Sequence, residues 1–322
     1  MCRSLCATQP TSEVLRWPLS TASSVPFEAI NSGSWRNRFP GETRVQLDLA
    51  GLVSFYDTKL IPSLITVRAG QERWDHRAGD ISSEDLAAVK TRLEAILVRP
   101  SGLSSGFDWR PLFQAIVDRF AGRLELTRHL LNSPAPDSDD ILDLANKAHT
   151  QLRIMLTPYI FVSATPTDLS DKTDLDWTIP IYKFCATIHT QFMASESDSM
   201  TDSERLLLRA VQGTTREICR VVTNMWAAGV YAGIDPSLNT KASPDITEIS
   251  QVMGEWEATL NDLMTWLDWS VWVKCNPNCG PEASLIRSLP SRILILVPYR
   301  RCVTYLHGHS VSPHLATDQK DH

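Results

Sequence analysis

The chain has 322 residues, 43% hydrophobic and 21% charged, an ordinary globular composition with enough apolar side chains for one large core. Its 37 acidic and 31 basic residues leave a formal charge of −6, which excludes a broad cationic surface for phosphate backbones, so no nucleic-acid partner is expected. No apolar run approaches the roughly 20 residues that cross a bilayer, the longest being Met225–Ile234 and Ile293–Tyr299, so no membrane span is expected in a soluble protein.

Residues 1–38 are rich in Ser, Thr, Pro and Arg without a hydrophobic period, and read as a flexible leader. They lack a basic start followed by an apolar stretch of about 7–15 residues, so no signal peptide is visible and secretion would require a different N-terminus. Val45, Leu47 and Leu49, then Val53 and Phe55, alternate with polar residues, predicting a short β-hairpin or irregular cap. An extended piece is expected around Leu64–Val67, and Gly70 to Gly79 reads as a loop carrying Trp74, Asp75 and His76.

Helical spacing then dominates. Ser82 and Asp85 resemble a capping box ahead of Leu86, Val89, Leu93, Ile96 and Leu97. Asp108 is an N-cap for a helix with Phe113, Ile116, Phe120 and Leu124 on its buried stripe. Arg119, Arg123 and Arg128 recur on that helix, interleaved with Asp118 and Glu125, and read as a solvated, salt-bridged face. A third helix starts near Ser138 and ends before Pro158; an acidic loop holding Asp168, Asp171, Asp174 and Asp176 follows. A fourth covers about Pro180–Met193. Thr201 and Glu204 form a second capping box, opening a helix whose end Gly229 and Gly233 loosen. The last helix runs from about Asp245 to Lys274, and residues 281–322 read as an irregular tail outside the core. The expected fold is all-α, a single helical bundle of about six helices over residues 39–280 behind that short N-terminal cap.

Four constellations carry chemical possibilities. Met253, Trp256, Leu260, Met264, Leu267 and Val271 share one face of the last helix, while Trp266, Trp269 and Trp272 point elsewhere. Central burial of that helix end is preferred over an aromatic patch docking a protein or apolar ligand. Asp268 lies among these rings and needs a cation or several donors, with Arg153 or Arg220 as natural partners. Asp139, Asp140 and Asp143 spell D-D-I-L-D, the DDxxD pattern that gathers magnesium around a diphosphate in all-α terpene and prenyl synthases. The second metal motif of those enzymes is matched only at Asn261 and Thr265, with Trp269 where a Glu belongs, so acids favouring a helix N-terminus are the preferred reading.

Seven cysteines are present, Cys2, Cys6, Cys185, Cys219, Cys275, Cys279 and Cys302. Cys275 and Cys279 form C-x3-C, which fits a tight disulfide, half of a metal site, or neither, since zinc needs four ligands. Cys185 and His189 sit at i and i+4, the spacing of a nucleophile or metal pair, but a buried thiol or a Cys185–Cys219 disulfide across adjacent helices is preferred.

The strings L-M-T-W-L-D-W-S-V-W-V-K-C (Leu263–Cys275), E-R-W-D-H (72–76), Q-L-R-I-M-L-T-P-Y-I (151–160), S-E-R-L-L-L-R-A (203–210) and E-I-C-R-V-V (217–222) occur in an order that resembles a group of uncharacterised fungal proteins. The resemblance spans most of Gly41–Gly280 and departs beyond it; because that group has no established activity, it implies no catalytic residues. The residues themselves favour a non-enzymatic helical binding or scaffold protein. The alternatives are a magnesium-dependent isoprenoid-diphosphate enzyme using D-D-I-L-D, and a secreted, disulfide-stapled helical protein. No cofactor is expected outside the magnesium reading.

Overall fold

Short side chains that accept hydrogen bonds from first-turn amides fix where most helices begin. A computed structural model describes residues 48–71, 75–100, 103–160, 175–196, 198–234 and 245–272. Among these residues it contains seven α-helices, short 3-10 turns and no strand, so the chain is all-α. The helices are α1 (Ser63–Arg68), α2 (Ser83–Leu97), α3 (Trp109–Leu131), α4 (Ser138–Leu156), α5 (Ile179–Thr187), α6 (Asp202–Tyr231) and α7 (Ile246–Leu267). Ser82, Asp108, Asp137, Thr201 and Asp245 cap α2, α3, α4, α6 and α7 in turn, each cap contributing about 1 kcal/mol. Thr201 and Glu204 make a full capping box. At α2 the reciprocal arm is diverted: Asp85 accepts from the Ser63 amide at 2.8 Å and so ties α2 to α1.

The core follows from these stripes. α6 lies at the centre, packed against α4, α5 and α7, while α3 and α4 pack on each other and both reach α7. Phe113, Phe120 and Leu124 of α3, Leu152 of α4, and Val211, Ile218, Val222 and Trp226 of α6 meet Trp256 and Leu260 of α7 in one continuous cluster. Full burial of such side chains stabilises the fold by about 1.5–3 kcal/mol each. Ile61, Leu64 and Val89 form a smaller cluster that joins α1 to α2.

Five expectations change. Leu64–Val67 is helical, not extended, because Leu64 and Arg68, one turn apart, are both buried, and Arg68 donates to the Phe55 and Arg77 carbonyls; tertiary burial overrides the β-branched run Ile65-Thr66-Val67. Gly229 does not loosen α6. It is a buried helical residue; the helix ends at Tyr231, and past the Ala232 C-cap Gly233 (φ 72°) turns the chain, with the Gly233 and Ile234 amides bonding the Val230 and Gly229 carbonyls in a Schellman arrangement. α5 stops at Thr187; a turn over residues 188–190 and a separate 3-10 segment, Gln191–Glu196, replace the end of the predicted fourth helix. α7 stops at Leu267, not Lys274, because Asp268 turns left-handed (φ 44°, ψ 44°), leaving Ser270–Trp272 as a 3-10 turn. One arginine of α3 leaves the solvated face: half-buried Arg119 donates to the Met155 carbonyl (2.7 Å), whereas Arg123 stays exposed and donates to Gln151 (2.7 Å); both bridge α3 to α4.

The leader 1–38, Val45, Leu47, Trp74, the acidic loop at Asp168, Asp171 and Asp174, Cys2, Cys6, Cys275, Cys279, Cys302 and residues 281–322 lie outside the described residues.

Candidate functional site

Asp139 and Asp140 occupy the first turn of α4, where acids face the positive end of the helix. Asp139 and Asp143 are exposed, and Asp143 pairs with Lys147 at 2.5 Å. A magnesium-diphosphate centre needs carboxylates facing one another across a cavity. Among the described residues no three His, Cys, Asp or Glu side chains converge in that way.

Cys185 of α5 and Cys219 of α6 are bonded through sulfur, with Cα atoms 5.9 Å apart and both residues buried. A disulfide sulfur is not a thiolate, so the bonded state removes Cys185 as a nucleophile. His189 lies past the end of α5 and faces Tyr159, whose hydroxyl is 3.4 Å from Nε2. The Arg119 guanidinium lies 5.0 Å over the Tyr159 ring. Burial, then the Arg119 charge, pushes the His189 imidazole below its ordinary value; burial pushes Tyr159 up against the opposing pull of Arg119. The cluster joins α3, the end of α4 and the end of α5 through a cation over a ring.

The tryptophans close the far end of α7. Trp269 is 3% exposed, and Trp266 and Trp272 are half-buried. Once Asp268 breaks the helix, the Trp269 and Trp272 rings pack 5.2 Å apart, and Trp272 Nε1 donates to the Ala121 carbonyl of α3 at 3.0 Å. The aromatic cluster is thus an anchor between α7 and α3. Asp268 is the half-buried C-cap, whereas Arg220 is bound by Glu217 through two hydrogen bonds of 2.9 and 2.6 Å. His76 is held between the Tyr56 hydroxyl (3.2 Å) and the Gln71 carbonyl (3.2 Å), a local structural role.

A more open arrangement lies where α2 meets the start of α6. Glu204, 1% exposed, accepts hydrogen bonds from the Thr201 amide (2.8 Å), the Ser105 amide and hydroxyl, and Trp109 Nε1 (3.3 Å). Burial pushes its carboxyl up, but these donors outweigh that and hold it below the usual carboxylate range. Beside it is a cleft of about 290 Å³ whose polar wall is Arg92, Arg99, Arg205, Asp202 and Ser203. Asp202 is bracketed by Arg92 and by Arg205, the latter at 2.8 Å. Arg99 is fixed by the Ala50 carbonyl (2.6 Å) and Asp48 (2.7 Å). Hydrogen bonding and charge from Arg92, then from Arg205, outweigh partial burial and hold Asp202 below its ordinary value.

Neither the cleft nor the Arg119–Tyr159–His189 cluster was singled out from the sequence. The available signal was the T-D-S-E-R string, which places Asp202 inside the Thr201–Glu204 capping box and Arg205 directly after it. Comparison with protein-family models, with curated proteins and with solved structures gives no match to this chain.

Proposed function

We propose that this chain is a non-enzymatic helical binding module, stapled by Cys185–Cys219 and working in an oxidising compartment. The observation that carries the reading is the bond between α5 and α6 at the centre of the fold. Structural disulfides persist where thiols are not kept reduced. A binding role rather than chemistry is supported by how the reactive candidates are spent. Cys185 is sulfur-bonded, Asp143 is ion-paired to Lys147, and Trp269 and Trp272 serve as packing anchors. An open cleft between α2 and α6, lined by arginines and apolar carbon, is a concave surface among the described residues that a small ligand could occupy.

Acid quenching of the protein in its native cells, followed by alkylation and mass spectrometry, tests this. Cys185 and Cys219 are expected to resist alkylation until a reductant is added. Quantitative alkylation of both without reductant would refute the stapled reading.

A further inference from the structure

We propose that the cleft between α2 and the first turn of α6 binds a phosphate group, free or as the monoester of a small molecule, and that Asp202 holds the anion position until the ligand displaces it. Three guanidiniums and one carboxylate line the cleft in a chain of net charge −6; Asp48 already pairs with Arg99, which leaves Arg92 and Arg205 around Asp202 as the pair that would face an anion. The Arg92 and Arg99 side chains are only 26% and 20% exposed, so their charge acts in a less screened setting than on an open surface.

The donors match the ligand. Asp202 already sits as a carboxylate between Arg92 and Arg205, the place where a tetrahedral oxyanion would take paired guanidinium hydrogen bonds. Its side chain is 63% exposed, so it has water to turn into once both ion pairs are given up. The amides of Asp202 and Ser203 are the first two of α6 and have no acceptor inside the helix. Ser203 lines the same cleft, is 2% exposed, and its hydroxyl has no hydrogen-bond partner among the described residues. A buried hydroxyl left so is costly. The volume lies at the low end for small-molecule sites, about 300 Å³, and Ala95 and Ile96 give an apolar wall for the carbon part of an ester.

The inference supplies a ligand class for the binding role above, yet fails separately from it, because the alkylation result does not depend on phosphate. Equilibrium dialysis of the full chain against labelled inorganic phosphate and glycerol phosphate, at low ionic strength with chloride as counter-ion, tests it. Saturable binding at one site is expected, and the tighter of the two probes identifies the source of the phosphate. Asp202→Asn, which removes the internal competitor, is expected to tighten binding roughly threefold. Arg92→Gln is expected to weaken it about tenfold, with Arg92→Lys intermediate because charge remains and the paired geometry is lost. Folding of each variant is checked by circular dichroism and its unfolding midpoint. No saturable binding of either probe, unchanged affinity in folded Arg92→Gln and Arg92→Lys, or weaker binding in Asp202→Asn would overturn the proposal.

Discussion

Gly229→Ala places a methyl group where α6 passes closest to α4 and α7. A Cβ at this position would lie 2.3 Å from His149 Cδ2, 2.7 Å from its Nε2 and 2.9 Å from Trp256 Cζ2, well inside the 3.4–4 Å of ordinary contact. The ring cannot yield cheaply. His149 is buried, its Nε2 lies 3.1 Å from the Trp226 carbonyl, and it stacks on Trp256 with centroids 6.0 Å apart and planes 15° apart. Overpacking of this kind costs about 1–3 kcal/mol, and displacing the ring sacrifices a hydrogen bond of about 1 kcal/mol. Alanine recovers about 1 kcal/mol through helix propensity, so the net loss is expected near the upper end, about 3 kcal/mol. Gly254→Ala is the matched control: it lies in α7, is exposed, and a Cβ there meets nothing within 4 Å. It is expected to stabilise by up to about 1 kcal/mol. Urea unfolding of both variants beside the parent chain measures the pair, and a thermal midpoint lower by roughly 6–12 °C is expected for Gly229→Ala. If the two alanines shift stability alike, the proposed close approach of α4, α6 and α7 is refuted.

Glu204→Gln is expected to destabilise by about 2 kcal/mol at neutral pH, because a charged acceptor with several donors is replaced by one weaker acceptor. Since the folded carboxyl is held below its unfolded value, its contribution is complete above about pH 4.3 and disappears as pH falls through the folded value. The variant's unfolding free energy should therefore depend less on pH in that acid window, and an unchanged slope would refute the assignment. For His189 the sign differs: burial and Arg119 keep the folded imidazole below its unfolded value, so the unfolded chain binds the proton first. Stability from this group should fall as pH drops below about 6.5 until the folded value is passed, and His189→Gln should flatten that decline in unfolding measured between pH 7.5 and 5.

Much of the helical layout is legible because the decisive interactions are local. The T-x-x-E string of Thr201 and Glu204 and the Asp108 cap involve residues within one turn, and the structure places α6 and α3 behind them. Elements set by distant partners are not legible in this way. Ile65, Thr66 and Val67 favour an extended run by local preference, while burial of Leu64 and Arg68 draws the segment into α1. The end of α7 is hidden for a related reason. W-L-D-W-S-V-W continues the apolar pattern, and no glycine or asparagine marks the left-handed turn at Asp268. The cleft is less legible still, since it assembles Ala50, Arg92, Arg99 and the 201–205 turn from three separate stretches. Taken singly, each of its arginines resembles an ordinary solvated charge. Cys185 and Cys219 are legible as neighbours because both lie on apolar stripes of consecutive helices, but spacing alone does not distinguish two thiols from a bond.

That bond is also open to the most direct measurement. Cys185 and Cys219 are 34 residues apart, so joining them removes loop-closure entropy worth about 3.7 kcal/mol from the unfolded chain. Equilibrium urea unfolding of the protein, with and without a reductant, should show a midpoint shifted downward by an amount corresponding to about 2–4 kcal/mol when the bond is reduced. Cys185→Ala/Cys219→Ala should lose stability similarly and should not respond to the reductant. Coincident curves with and without reductant, with both cysteines alkylating as free thiols in the non-reduced unfolded chain, would contradict a disulfide-stapled module.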